Sequence, residues 1–94
     1  MDIELRDNAD ENRYEAVVDG QVAAYIVYRD RYDGARVYLH TETDPAFAGK
    51  GVASSLVRQA LEAERARPRR VVPSCPFVAA FLERHPDYKD VTTL

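Results

Sequence analysis

The first half of the chain alternates and the second half repeats at helical spacing. From Asn12 to Arg29, "NRYEAVVDGQVAAYIVYR" reads as two β runs joined at Asp19-Gly20, a dipeptide suited to the positive-φ turn of a tight hairpin. In the second run Val22, Ala24, Ile26 and Tyr28 alternate with Ala23, Tyr25 and Val27. Both faces are apolar, which marks an interior strand. After the turn-like "DRYDG", residues 35–43 form a third run. Strict alternation there puts Val37, Leu39 and Thr41 on one face and Arg36, Tyr38, His40 and Glu42 on the other. Residues 3–6 are expected to add a short edge strand ahead of the hairpin.

The period then changes. Ala53, Leu56, Val57, Ala60 and Leu61 recur as one face of a helix, with Arg58, Gln59, Glu62 and Glu64 on its polar side. Pro68 ends that helix. "RRVVP" is a short strand, and strand–helix–strand requires a parallel crossover that returns beside residues 36–43. Ser74 or Cys75 caps a second helix with Pro76 at its first position and Phe77, Val78, Phe81 and Leu82 as its buried stripe. "HPDYKDVTTL" is expected to form a closing turn with room for a last strand. The predicted class is α+β: a mixed, mostly antiparallel sheet with one βαβ crossover and two main helices, in a single domain over residues 1–94.

Composition narrows the functions open to such a domain. The 94 residues are 46% hydrophobic and 31% charged, with a net charge of −3. The basic residues do not gather into one stripe; the nearest approach is Arg65, Arg67, Arg69 and Arg70 around a helix end, which argues against a nucleic-acid binder. No apolar run approaches membrane-spanning length, so no membrane partner is expected. Met1-Asp2-Ile3-Glu4 has neither the basic start nor the apolar block of a secretory leader, and a cytoplasmic location is expected. The single cysteine, Cys75, forms no internal disulfide and is free to act as a reactive thiol. No metal is expected.

Between strand and helix lies "TDPAFAGKGVASSLV", residues 43–57. Gly49 and Gly51 leave amides uncovered where the helix begins, and the positive end of its dipole favours an anion there. The same glycines would also serve a tight turn for close strand–helix packing. A dinucleotide fingerprint would take Ser54 as its third small position. It finds Val71-Val72 where an acidic ribose ligand belongs, and the chain is too short for two mononucleotide halves. A P-loop is excluded, because Lys50 is followed by Gly51 rather than Ser or Thr.

The turn has a third reading. "AGKGVA", Ala48 to Ala53, resembles the acyl-CoA motif of the GCN5-related N-acetyltransferases, Q/R-x-x-G-x-G/A. Gly51 and Ala53 match its small positions, while Ala48 stands where the family has Gln or Arg. "LHTETDPAFAGKGVASSLVRQALE" followed by "VVPSCPFVAAFLERHPDY" is similar to the small, single-domain branch of the family, over roughly residues 12–90. The resemblance implies an N-acetyltransferase with acetyl-CoA or coenzyme A as cofactor and a small or peptide amine as acceptor, monomeric or weakly dimeric. It implies a sheet that splays between residues 36–43 and 70–73, with the pantetheine arm against the main chain of Leu39, His40 and Thr41. The amides of Gly49, Lys50, Gly51, Val52 and Ala53, with Ser54 beside them, would hold the pyrophosphate, and Lys50 would add charge.

Cys75 is the catalytic candidate that the resemblance points to, at a helix N-terminus whose amides stabilise negative charge. It would either attack the thioester and carry the acyl group, or orient and protonate the departing thiolate while the amine attacks directly. His40 is the second candidate, as a base for the ammonium group or a partner of Cys75, since imidazole titrates near neutrality. His85 is assigned to helix capping and Tyr88 to packing. The rival readings are a non-catalytic CoA or acyl-CoA-binding module and a protein-interaction domain.

Overall fold

The computed structural model describes residues 1–94. Five strands, β1 (Glu4–Asn8), β2 (Arg13–Val18), β3 (Gln21–Asp30), β4 (Arg36–Thr43) and β5 (Val71–Pro73), form one sheet in the order β1-β2-β3-β4-β5. All neighbours are antiparallel except β4 and β5. The β2–β3 hairpin turns on Asp19 and Gly20 with φ of 50° and 77°, the positive-φ pair that its sequence favours. Helix α1 (Val52–Ala66) makes the parallel crossover to β5, and α2 (Pro76–Arg84) follows with Cys75 at its N-cap and Pro76 at its first position. The α+β class, the crossover and both helices agree with the sequence pattern. No helix is long and apolar enough to cross a membrane.

Two local expectations are corrected. Residues Pro86–Thr92 close the chain as a 3-10 helix instead of a strand, and drive Tyr88 and Val91 into the core. In β4, Tyr38 pairs with Tyr28 but His40 pairs with Val27, so Leu39 has no partner on β3. This β-bulge inverts the alternation beyond it. Thr41 therefore shares the face of Tyr38, and His40 and Glu42 share the face of Val37, the reverse of what strict alternation gives.

The core lies between α1 and one sheet face. Val52, Leu56, Val57, Ala60 and Leu61 of α1 meet Tyr14, Ala16, Ala24, Ile26 and Tyr38, all buried. Each large aliphatic chain there contributes about 1.5–3 kcal/mol by leaving water. The opposite face is sealed by charge instead. Glu15, 1% exposed, accepts from Arg6 Nε at 2.8 Å, Arg13 Nε at 2.7 Å and Asn8 Nδ2 at 3.1 Å. Burial works to raise its pKa, and these hydrogen bonds outweigh burial and hold it below the ordinary carboxylate range. A carboxylate lowered in the folded state stabilises the fold above its unfolded pKa, and that stability is lost as pH falls through the folded value. Unfolding free energies measured between pH 6 and pH 2 are thus expected to drop below about pH 4.5, with Glu15→Gln flattening the drop. An equal acid limb in wild type and variant would contradict this.

Candidate active site

Pairing between β4 and β5 is short and stops where the bulge begins. Arg36, Val37 and Tyr38 pair with Val71, Val72 and Pro73, and then the Cys75 amide donates to the Tyr38 carbonyl at 2.8 Å. Beyond that bond β5 has ended, and β4 continues through Leu39 to Thr43 with one edge unpaired. Cys75 thus stands at the fork, 3% exposed, with its Sγ 3.3 Å from Thr41 Oγ1. The bulge at Leu39 is what makes that contact, by turning Thr41 onto the cysteine's side.

At the far end of the free edge the chain enters the glycine turn. Asp44 caps a short 3-10 turn, Pro45–Phe47, by accepting from the Ala46 amide at 2.9 Å. Gly49 and Gly51 then take φ of 74° and 76°. A Cβ at either position would meet no heavy atom within 4 Å, so close strand–helix packing is not what requires glycine here. The left-handed backbone is, and it leaves the amides from Gly49 to Ser54 without an acceptor in the chain. These amides border a cavity of about 260 Å³ whose lining includes Gly49, Gly51, Val52, Ala53 and Ser54 together with Phe47 and Phe77.

Phe77 corrects the sequence reading. It was expected in the buried stripe of α2, yet it is 36% exposed and lines this cavity. Leu39, at the bulge, is the other exposed large apolar residue along the free edge. Lys50 is exposed at the turn. His85 caps α2 and stacks on Phe81 with ring centroids 4.3 Å apart, and Tyr88 packs on Phe81 at 6.0 Å.

His40 and Cys75 are not brought together. His40 Nε2 lies 2.6 Å from Glu42 Oε2, both side chains more than half exposed on the sheet face away from α1. The thiol has Thr41 for its partner, on the other face. Glu42, which the sequence suggests is only a solvated acid near a turn, is the partner of His40. Plain alternation already puts residues 40 and 42 on one face; the bulge decides which face that is.

A family model described as GCN5-related N-acetyl-transferase matches residues 13–91. The chain belongs to the GCN5-related N-acetyltransferases. Among solved structures, it is similar to the NMR solution structure of a "GCN5-like putative N-acetyltransferase" from Staphylococcus aureus. The TM-score is 0.70 at 26% identity, over 94% of this chain and 85% of the other. No curated protein matches. Membership assigns the chain to acyltransferase chemistry of the N-acetyltransferase kind, in a family that generally uses acetyl-CoA. The fork in the sheet and the exposed amides are the features to be read against that chemistry.

Proposed function

We propose that this chain transfers an acyl group, most simply acetyl, from acyl-CoA to the nitrogen of a small or peptide amine. The observation that carries the reading is the continuous free edge of β4, which runs from the Cys75 fork to the unpaired amides of the glycine turn. The residues fit the group. The amides from Gly49 to Ser54 would hold the pyrophosphate with Lys50 as a mobile counter-charge, and Phe47 and Phe77 would shield the adjoining arm. Main-chain groups of Leu39, His40 and Thr41 would pair with the pantetheine amides as an added strand does. Bound acyl-CoA supplies the acyl group as a thioester, already activated toward an amine.

The chain's own groups divide the proton work. Cys75, hydrogen-bonded to Thr41, is placed to give a proton to a departing thiolate on the α1 side of β4. His40, oriented by Glu42, is placed to take a proton from an ammonium group approaching over the open face. A base and an acid on opposite faces of one strand favour direct attack by the amine over passage of the acyl group through Cys75.

The test is calorimetric titration with CoA and acetyl-CoA, followed by release of free CoA with a panel of amines and peptides. Binding and turnover are expected. Binding with no turnover across the panel would make the chain a CoA-binding module, and no binding at all would make it an interaction domain. Gly51→Val forces a β-branched residue to φ of 76°. It is expected to cost about 1–2 kcal/mol of stability, and to weaken CoA binding about tenfold or more by covering the amides. Equal CoA affinity in wild type and Gly51→Val would remove the turn from the site.

A further inference from the structure

A second cavity, about 280 Å³, opens at the other end of α1. Residues 52–62 of α1 separate it from the glycine turn, about 16 Å along the axis. It is independent of the acyl-CoA reading. Its floor is a buried polar cluster of Tyr14, Arg36 and Glu64, and its rim carries Asp7, Arg67 and Arg69. Glu64 is 2% exposed. Its Oε2 accepts from Tyr14 at 3.0 Å and Tyr38 at 2.7 Å, but Oε1 has only Arg69 Nη1 at 3.8 Å, beyond hydrogen-bonding range. Asp7 shows the same asymmetry. Its Oδ1 accepts from Tyr28, while Oδ2 has only Arg36 Nη1 at 3.6 Å.

Arg36 has little to offer in return. Its Nε and Nη2 are committed to Asp30 at 2.6 and 2.9 Å, and Nη1 to the Tyr14 hydroxyl at 3.0 Å. One cavity thus holds two carboxylate oxygens that are open to it and take no hydrogen bond from the chain, each with a guanidinium at ion-pair distance, and the exposed guanidinium of Arg67 lies at its mouth. Carboxylate oxygens with free lone pairs facing a cavity can accept from a nitrogen cation, and a rim guanidinium can donate to an anion. We infer that this cavity binds a small zwitterionic amine of the free α-amino acid class, its ammonium on Glu64 Oε1 and Asp7 Oδ2 and its carboxylate on Arg67.

Three probes of nearly equal size separate the terms: L-alanine with both charges, ethylamine with the cation alone and propionate with the anion alone. In a ¹H–¹⁵N NMR titration of the whole chain, L-alanine is expected to give saturable shifts at the amides of Leu5, Asp7, Ala63 and Arg67. Ethylamine and propionate should bind at least about tenfold more weakly, since each forgoes one charged contact. Glu64→Gln and Asp7→Asn should each weaken L-alanine by a similar factor, and Arg67→Ala should bring it down to the level of ethylamine. Asp7 lies at the exposed rim, so Asp7→Asn keeps the test open if Glu64→Gln folds poorly. Absence of saturable shifts at these amides, shifts confined to the glycine turn or His40, or equal binding by Asp7→Asn would overturn the inference.

Discussion

Cys75→Ala is expected to lower acyl transfer about 100-fold or more, while CoA affinity stays within about twofold. The two readouts separate because the thiol and the amides of the glycine turn sit at opposite ends of the free β4 edge. The substitution removes a single sulfur from a small side chain whose backbone amide still donates to Tyr38, so the fork itself should survive. Thr41→Val, which keeps the shape and deletes the hydroxyl 3.3 Å from Sγ, should lower the rate by a smaller factor. Unchanged turnover in Cys75→Ala would strike the cysteine from the mechanism. Direct attack further predicts that no acyl-Cys75 adduct accumulates on mixing with acetyl-CoA. A kinetically competent adduct seen by mass spectrometry would instead establish the covalent route.

The elements governed by local rules were readable from the residues. Asp19-Gly20 makes the hairpin, Pro76 starts α2, and the spacing from Leu56 to Leu61 makes α1, because each rests on φ preferences or on one period. The glycine turn was readable as a positive-φ turn with free amides for the same reason, and the open space around both glycines removes close packing as the reason for glycine there. The parts of the site that depend on tertiary register were not. The bulge at Leu39 arises from the fit of β4 to β3, and alternation alone cannot see it. Its consequence is large, since it decides that Thr41 rather than His40 meets Cys75. Phe77 fits the period of a buried stripe, yet the splay of the sheet leaves it facing a cavity.

Glu64 is the plainest failure of periodicity, and it carries the largest expected stability effect. Its position in α1 belongs to the polar flank with Arg58 and Glu62, but it is buried, because tyrosines on β2 and β4 supply its donors from across the core. Burial first, and then the Glu64 carboxylate, push the Tyr14 and Tyr38 hydroxyls well above the ordinary tyrosine pKa, with Arg36 pulling the other way. Both phenols therefore stay protonated as donors at neutral pH. Glu64→Ala would strand the Tyr38 hydroxyl with no acceptor, leave Tyr14 with only Arg36, and open a void beneath α1. Each stranded hydroxyl costs about 1–3 kcal/mol, and the void adds to that. A loss of about 3–5 kcal/mol is expected, or roughly 15–25 °C in Tm for a domain of this size. Glu64→Gln retains an acceptor oxygen for both tyrosines and should cost about 1 kcal/mol. Chemical denaturation of wild type and both variants measures the order directly. A Glu64→Ala protein as stable as Glu64→Gln would mean that the tyrosines find other partners and that the carboxylate is not what holds β4 to α1.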